Sequence, residues 1–85
     1  MPEISRFFGI VIGIFYSEHG AAHFHAVYGK HEITVEVESG KIHGQFPARA
    51  LRLVLEWANL HRGELIENWQ LAQQGQPLRR IAPLE

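Results

Sequence analysis

The feature that most constrains this chain is a stretch of strict alternation folded about one short turn. Ala22, Phe24, Ala26 and Tyr28 share one side of a strand, with His23, His25 and Val27 on the other. Gly29-Lys30 follows as a two-residue hairpin signal. Alternation then resumes, with Ile33, Val35 and Val37 on one face and Glu32, Thr34, Glu36 and Glu38 on the other. Both apolar faces must meet one core, and a one-residue slip would turn them to solvent. The expected register puts Phe24 opposite Val35, Ala26 opposite Ile33, His25 opposite Thr34 and His23 opposite Glu36.

Neighbouring segments extend this hairpin. Phe8 to Tyr16 is β-branched and aromatic and reads as one strand apolar on both faces. A five-residue loop, Ser17 to Ala21, then pairs Ile14 with Phe24, Phe15 with His23 and Gly13 with His25. Ser39-Gly40 reads as a second tight turn before a short strand, Lys41-Ile42-His43, which places Val37 opposite Ile42 and Glu36 opposite His43.

The second half is helical. Pro47 suits a helix start, and Leu51, Val54, Leu55 and Ala58 form one apolar stripe, with Leu53, Trp57 and Leu60 a second. His61-Arg62-Gly63 marks a bend. A second helix, Glu64 to Gln74, carries Leu65, Trp69 and Ala72 on one face and ends at Gly75 and Pro77. The expected fold is α+β: an antiparallel meander of three to four strands, its inner face packed by two C-terminal helices. Residues 1–85 read as a single domain, with a β half at about 7–44, a helical half at about 47–75 and an irregular tail, 76–85.

With 46% apolar and 20% charged residues, the 85-residue chain has a globular balance. A net charge of −1 excludes a broadly basic nucleic-acid clamp and leaves room only for a local patch. There is no Cys, which excludes disulfides, thiolate zinc sites and iron–sulfur clusters. Phe7 to Tyr16 is too short to span a bilayer. The start, Met1-Pro2-Glu3, lacks the basic stretch of a secretory signal. The expectation is a cytoplasmic protein without membrane association.

Six His in so short a chain ask for an explanation. The register lines up Phe15, His23, Glu36 and His43 in one row across the outer face, with His25 beside it. Directly opposed Cβ atoms lie about 4.5–5.5 Å apart. Imidazoles grouped around a carboxylate fit two chemistries. One is metal binding by His23, His25, Glu36 and His43, with Zn, Fe, Ni or Cu as the ion. The other is metal-free acid/base catalysis by the same four residues, of the hydrolase or ribonuclease type, where the 2′-OH of RNA supplies the nucleophile. The competing reading is an inert or partner-facing His–Glu patch.

Other features read more plainly. His19 belongs to the loop beside Glu18, with ligation as its alternative; His31 and His61 read as turn and helix-end residues. Trp57 and Trp69 read as core anchors. Arg49, Arg52, Arg79 and Arg80 read as solvated charge, with phosphate contact as the alternative. Glu64 and Glu67 would repel phosphates from a recognition helix. Val11 and Phe15 point outward on a strand near a sheet edge, a surface that a homodimer or a cognate partner protein would cover.

Several segments together resemble a bacterial family, the domain of unknown function 4160. They are Pro2-Glu3-Ile4-Ser5-Arg6-Phe7-Phe8-Gly9-Ile10-Val11-Ile12, His23-Phe24-His25-Ala26, Arg49-Ala50-Leu51-Arg52-Leu53-Val54, Glu56-Trp57-Ala58 with Leu60-His61-Arg62, and Glu67-Asn68-Trp69. The resemblance implies a small stand-alone protein, often encoded beside another small protein in pairs that look like toxin–antitoxin modules. It implies no particular reaction. Gly20-Ala21-Ala22 stands where the family usually has an Asn-Pro-Pro-like loop, which leaves this loop less rigid. Gly13 stands where the family often has Lys or Arg, which removes a phosphate contact and predicts open space beside His25.

Overall fold

The computed structural model describes all 85 residues. Five antiparallel strands form one sheet in sequence order: β1 Glu3–Phe7, β2 Ile10–Gly13, β3 His23–Tyr28, β4 His31–Glu36 and β5 Ile42–Gly44. Two helices follow, α1 Ala48–Leu60 and α2 Arg62–Gln73. The architecture is α+β, with one strand more than the meander read from the sequence.

The central hairpin has the expected register, from His23 opposite Glu36 to Tyr28 opposite His31. Gly29 takes a φ of 60°, which suits Gly at the first position of a two-residue turn. The β2–β3 pairing is also as expected, with Gly13 opposite His25 and Ile12 opposite Ala26.

Two expectations are corrected. The single strand from Phe8 to Tyr16 is instead the hairpin partner of β1. Phe8 and Gly9 form its turn, at φ values of 50° and 80°. The sequence hides this because Phe8 favours strands, and because a register irregularity between Glu3 and Ser5 breaks the period of two in β1. Consequently β2 is an interior strand with β1 as the sheet edge beside it, and Phe15 remains exposed.

The second correction is at β4–β5. Val35 pairs with Ile42 and Thr34 with His43, two residues away from the expected register. A two-residue turn would need Ser39 in the left-handed region, yet Gly40 alone occupies it there, at φ 75°. The loop therefore runs over Val37–Gly40. It is closed by the Glu36 N–H on Lys41 O and the Gly40 N–H on Glu36 O, each 2.9 Å. A shift of two preserves the faces, so His43 still projects on the histidine side.

The core lies between the inner sheet face and the helices. Ile10, Ile12, Ile14, Phe24, Ala26, Ile33 and Val35 are buried from the sheet, with Ala50, Val54 and Trp57 from α1 and Leu65 and Ala72 from α2. Trp57 anchors it, with ring centroids 5.4 Å from Phe7 and 5.8 Å from Phe24. Leu60, by contrast, is exposed. The expected bend falls at His61, which ends α1 and caps α2.

The tail has no regular structure but is packed. The Ile81 N–H donates to Ile4 O on the open side of β1, and the Trp57 indole N–H donates to Ala82 O. The buried Asn68 side-chain amide donates to Arg79 O and accepts the Arg79 N–H. No helix is long and apolar enough to cross a membrane.

Candidate functional site

Alternation in β3 sends Phe24 and Ala26 inward and leaves His23 and His25 on the opposite face. That face is not bare. The segment between β2 and β3 folds over it, helped by Ser17 at a φ of 64° and Gly20 at 93°. The Gln73 side chain of α2 grips this segment by donating to Glu18 O at 2.8 Å.

The Glu18 carboxylate thereby reaches both imidazoles. Its Oε1 lies 2.8 Å from His25 Nε2 and 3.1 Å from His23 Nε2. The other ring nitrogens are also held: His23 Nδ1 is 3.0 Å from Ala21 O, and His25 Nδ1 is 3.3 Å from Glu32 Oε2. Phe15 packs edge-on against the His25 ring at 4.7 Å, and Trp69 lies 4.9 Å from the His23 ring. Trp69 is thus half-buried, packed against the edge of the core and beside the histidines, while Asn68 is the fully buried neighbour on α2. His25 is only 7% exposed. Burial pushes the Glu18 carboxyl up, but the hydrogen bond and charge of His25, aided by His23, outweigh it and hold the group below the ordinary carboxylate range.

A second pair lies across the same face. His43 Nε2 is 3.2 Å from Glu36 Oε2, and Ser39 Oγ donates to Glu36 Oε1 at 3.0 Å. The hydrogen bonds from His43 and then Ser39, with the charge of Lys41, hold the Glu36 carboxyl low. His43 is half exposed. A cleft of about 290 Å³ lies between the groups, lined by His19, Ala21, His23, Thr34, Glu36 and His43.

The four residues singled out in the sequence therefore share one face but not one hub. His23 and Glu36 are direct cross-strand partners, yet the His23 ring turns to Glu18, while Glu36 turns to Ser39 and His43. His43 reaches Glu36 diagonally because its direct partner is Thr34. Glu18 lies outside the strands and so outside the row that strand register predicts; its signal in the sequence is a lone acid in the connection that must return over the His-x-His strand. His61, read as a helix-end residue, caps α2 and holds Glu64 at 2.6 Å. The space expected beside His25 at Gly13 is filled, since a Cβ there would lie 2.5 Å from Met1 Cγ and 2.6 Å from Pro2 O.

These features define a small α+β protein with a His/Glu-lined cleft on the outer face of its sheet. The profile of the family described as Domain of unknown function (DUF4160) matches residues 9–70, and the chain belongs to that family. No curated protein and no solved structure matches the chain.

Proposed function

We propose that this outer-face cleft is the working surface of one component of a two-gene, toxin–antitoxin-like module, and that the cleft acts on RNA by acid/base chemistry. The observation that carries the reading is the pairing of two different His/Glu groups across one cleft. His43, oriented by Glu36 and open to solvent, is the base. It takes the proton of a 2′-OH, which attacks the adjacent phosphorus, and the departing 5′-oxygen takes a proton from water. His23, held by Glu18 and by Ala21 O, lines the opposite wall of the cleft, beside the bound phosphate. The resemblance to a family often encoded beside another small protein, in pairs that look like such modules, supports the module, and a small cognate protein is the partner that the module requires.

The test is expression of the protein without its neighbour gene, with growth and RNA integrity followed together. Arrest with RNA cleavage is expected. His43→Ala and Glu36→Gln should each lower cleavage by about 10²-fold or more. Arrest that survives both substitutions with RNA intact would replace catalysis by inhibitory binding. Absence of arrest and of cleavage would remove the proposal.

A further inference from the structure

We propose that Glu18, His23 and His25 hold a divalent transition-metal ion of the Zn²⁺ type, through Glu18 Oε1 and the Nε2 atoms of the two histidines. This rests on the reading of the outer face as the working site and deepens it, since the ion is the source of positive charge at that wall.

Size is the first argument. The three ligand atoms all lie within 4.8 Å of one another, with two of the separations at 2.8 and 3.1 Å. Ligands about 2.0–2.1 Å from a tetrahedral zinc stand about 3.3 Å apart. Little movement separates the observed triangle from one closed around an ion.

The outer contacts are the second argument. His23 turns Nδ1 to a backbone carbonyl and His25 turns Nδ1 to the Glu32 carboxylate. These are the partners that metal-bound imidazoles use to set the tautomer and aim Nε2 at the ion. An imidazole that donates through Nδ1 presents a lone pair at Nε2, and a carboxylate presents only lone pairs. Without an ion, protons on the two Nε2 atoms bridge them to Glu18 Oε1; a cation takes the place of those protons between the same three atoms. Phe15 and Trp69 wall the two rings, and the hold of Gln73 on Glu18 fixes the loop ligand from α2.

Donor type is the third. Two imidazoles and one carboxylate, with no Cys in the chain, suit Zn²⁺ and its first-row neighbours and leave further positions for water or substrate. His23 alone of the trio lines the cleft, so an ion held by it would adjoin the space that Glu36 and His43 border.

The experiment is calorimetric titration of Zn²⁺ into the untagged, chelator-washed full chain, with the visible spectrum of Co²⁺ as a second reading of coordination. One equivalent is expected at about micromolar Kd or tighter. Glu18→Gln and His25→Asn should abolish saturation in that range, and Glu32→Gln should weaken binding about 10–100-fold. Circular dichroism establishes folding of each variant. If His25→Asn fails to fold, Glu18→Gln and His23→Gln carry the test, because both residues are partly exposed. No saturation at millimolar Zn²⁺, or binding unchanged in Glu18→Gln, overturns the site; so does binding lost in Glu36→Gln and His43→Ala. Failure of metal binding while His43→Ala still abolishes RNA cleavage would leave the cleft proposal standing. Metal binding with no cleavage would do the reverse.

Discussion

Asn68 and Ser5 show how differently two buried polar side chains act. Asn68 is 1% exposed, and its amide both donates to and accepts from the Arg79 backbone. It is a side chain standing in for a strand neighbour, and it pins the tail. Asn68→Ala leaves a backbone N–H and a carbonyl without their partner. The expected loss is about 1–3 kcal/mol in urea unfolding. Ser5 is equally buried, but its Oγ has no partner. Ser5→Ala removes an unpaired hydroxyl and should leave stability unchanged or raise it by up to about 1 kcal/mol in the same experiment. Equal losses at both positions would mean that burial alone, and not pairing, decides their contribution. Glu18 follows the same logic at the site. Its side chain is useful because the loop, with Ser17 in the left-handed region, brings it to two Nε2 atoms that have no other hydrogen-bond partner.

At the scale of elements, turns decide what the strands can do. The β1–β2 turn places Phe8, a bulky residue, in the left-handed region that Asn and Gly occupy most cheaply. Phe8 is also exposed, so its ring contributes little burial. Phe8→Asn, which creates the favoured Asn-Gly pair before β2, is expected to raise stability by about 1 kcal/mol. A lower urea midpoint for this variant would show that the Phe8 ring makes contacts worth more than the backbone strain. The β4–β5 loop carries the opposite lesson. Ser39 stays out of the left-handed region, the loop lengthens to four residues, and the register moves by two. His43 keeps its face but exchanges a direct cross-strand position for a diagonal one. Its Glu36 contact survives because side chains this long span that distance.

At the scale of the whole molecule, the tail ties the last residues to the first strand. Glu3 accepts from Arg6 at 2.8 Å and from Arg80 at 3.0 Å. The Arg6 hydrogen bond, then that of Arg80, lowers its carboxyl from the ordinary 4.5 to about 2. A folded value below the unfolded one means that the clamp contributes above pH 4.5 and is lost as pH falls towards 2. The tail should therefore loosen across that window. In Glu3→Gln it should be loose already at neutral pH, read as faster exchange of the Trp57 indole proton that Ala82 O now holds. Equal exchange in the two proteins would assign the tail to Ile81 and Leu84 burial alone.

What the sequence determined by itself was the face each residue occupies. Alternation through His23–Tyr28 and His31–Glu36 excludes every odd slip, which would expose Phe24, Ile33 and Val35, and the two-residue turn at Gly29-Lys30 selects among the even ones. The helix pair, its bend at His61 and the core role of Trp57 follow equally from spacing and from Gly and Pro placement. Only the tertiary structure decided which carboxylate meets which imidazole. Period two fixes a face but not the reach of a loop, and the backbone angles of Ser17, Ser39 and Phe8 depend on contacts made after the chain has folded back. That is why Glu18 joined His23 and His25, while Glu36 was left to His43.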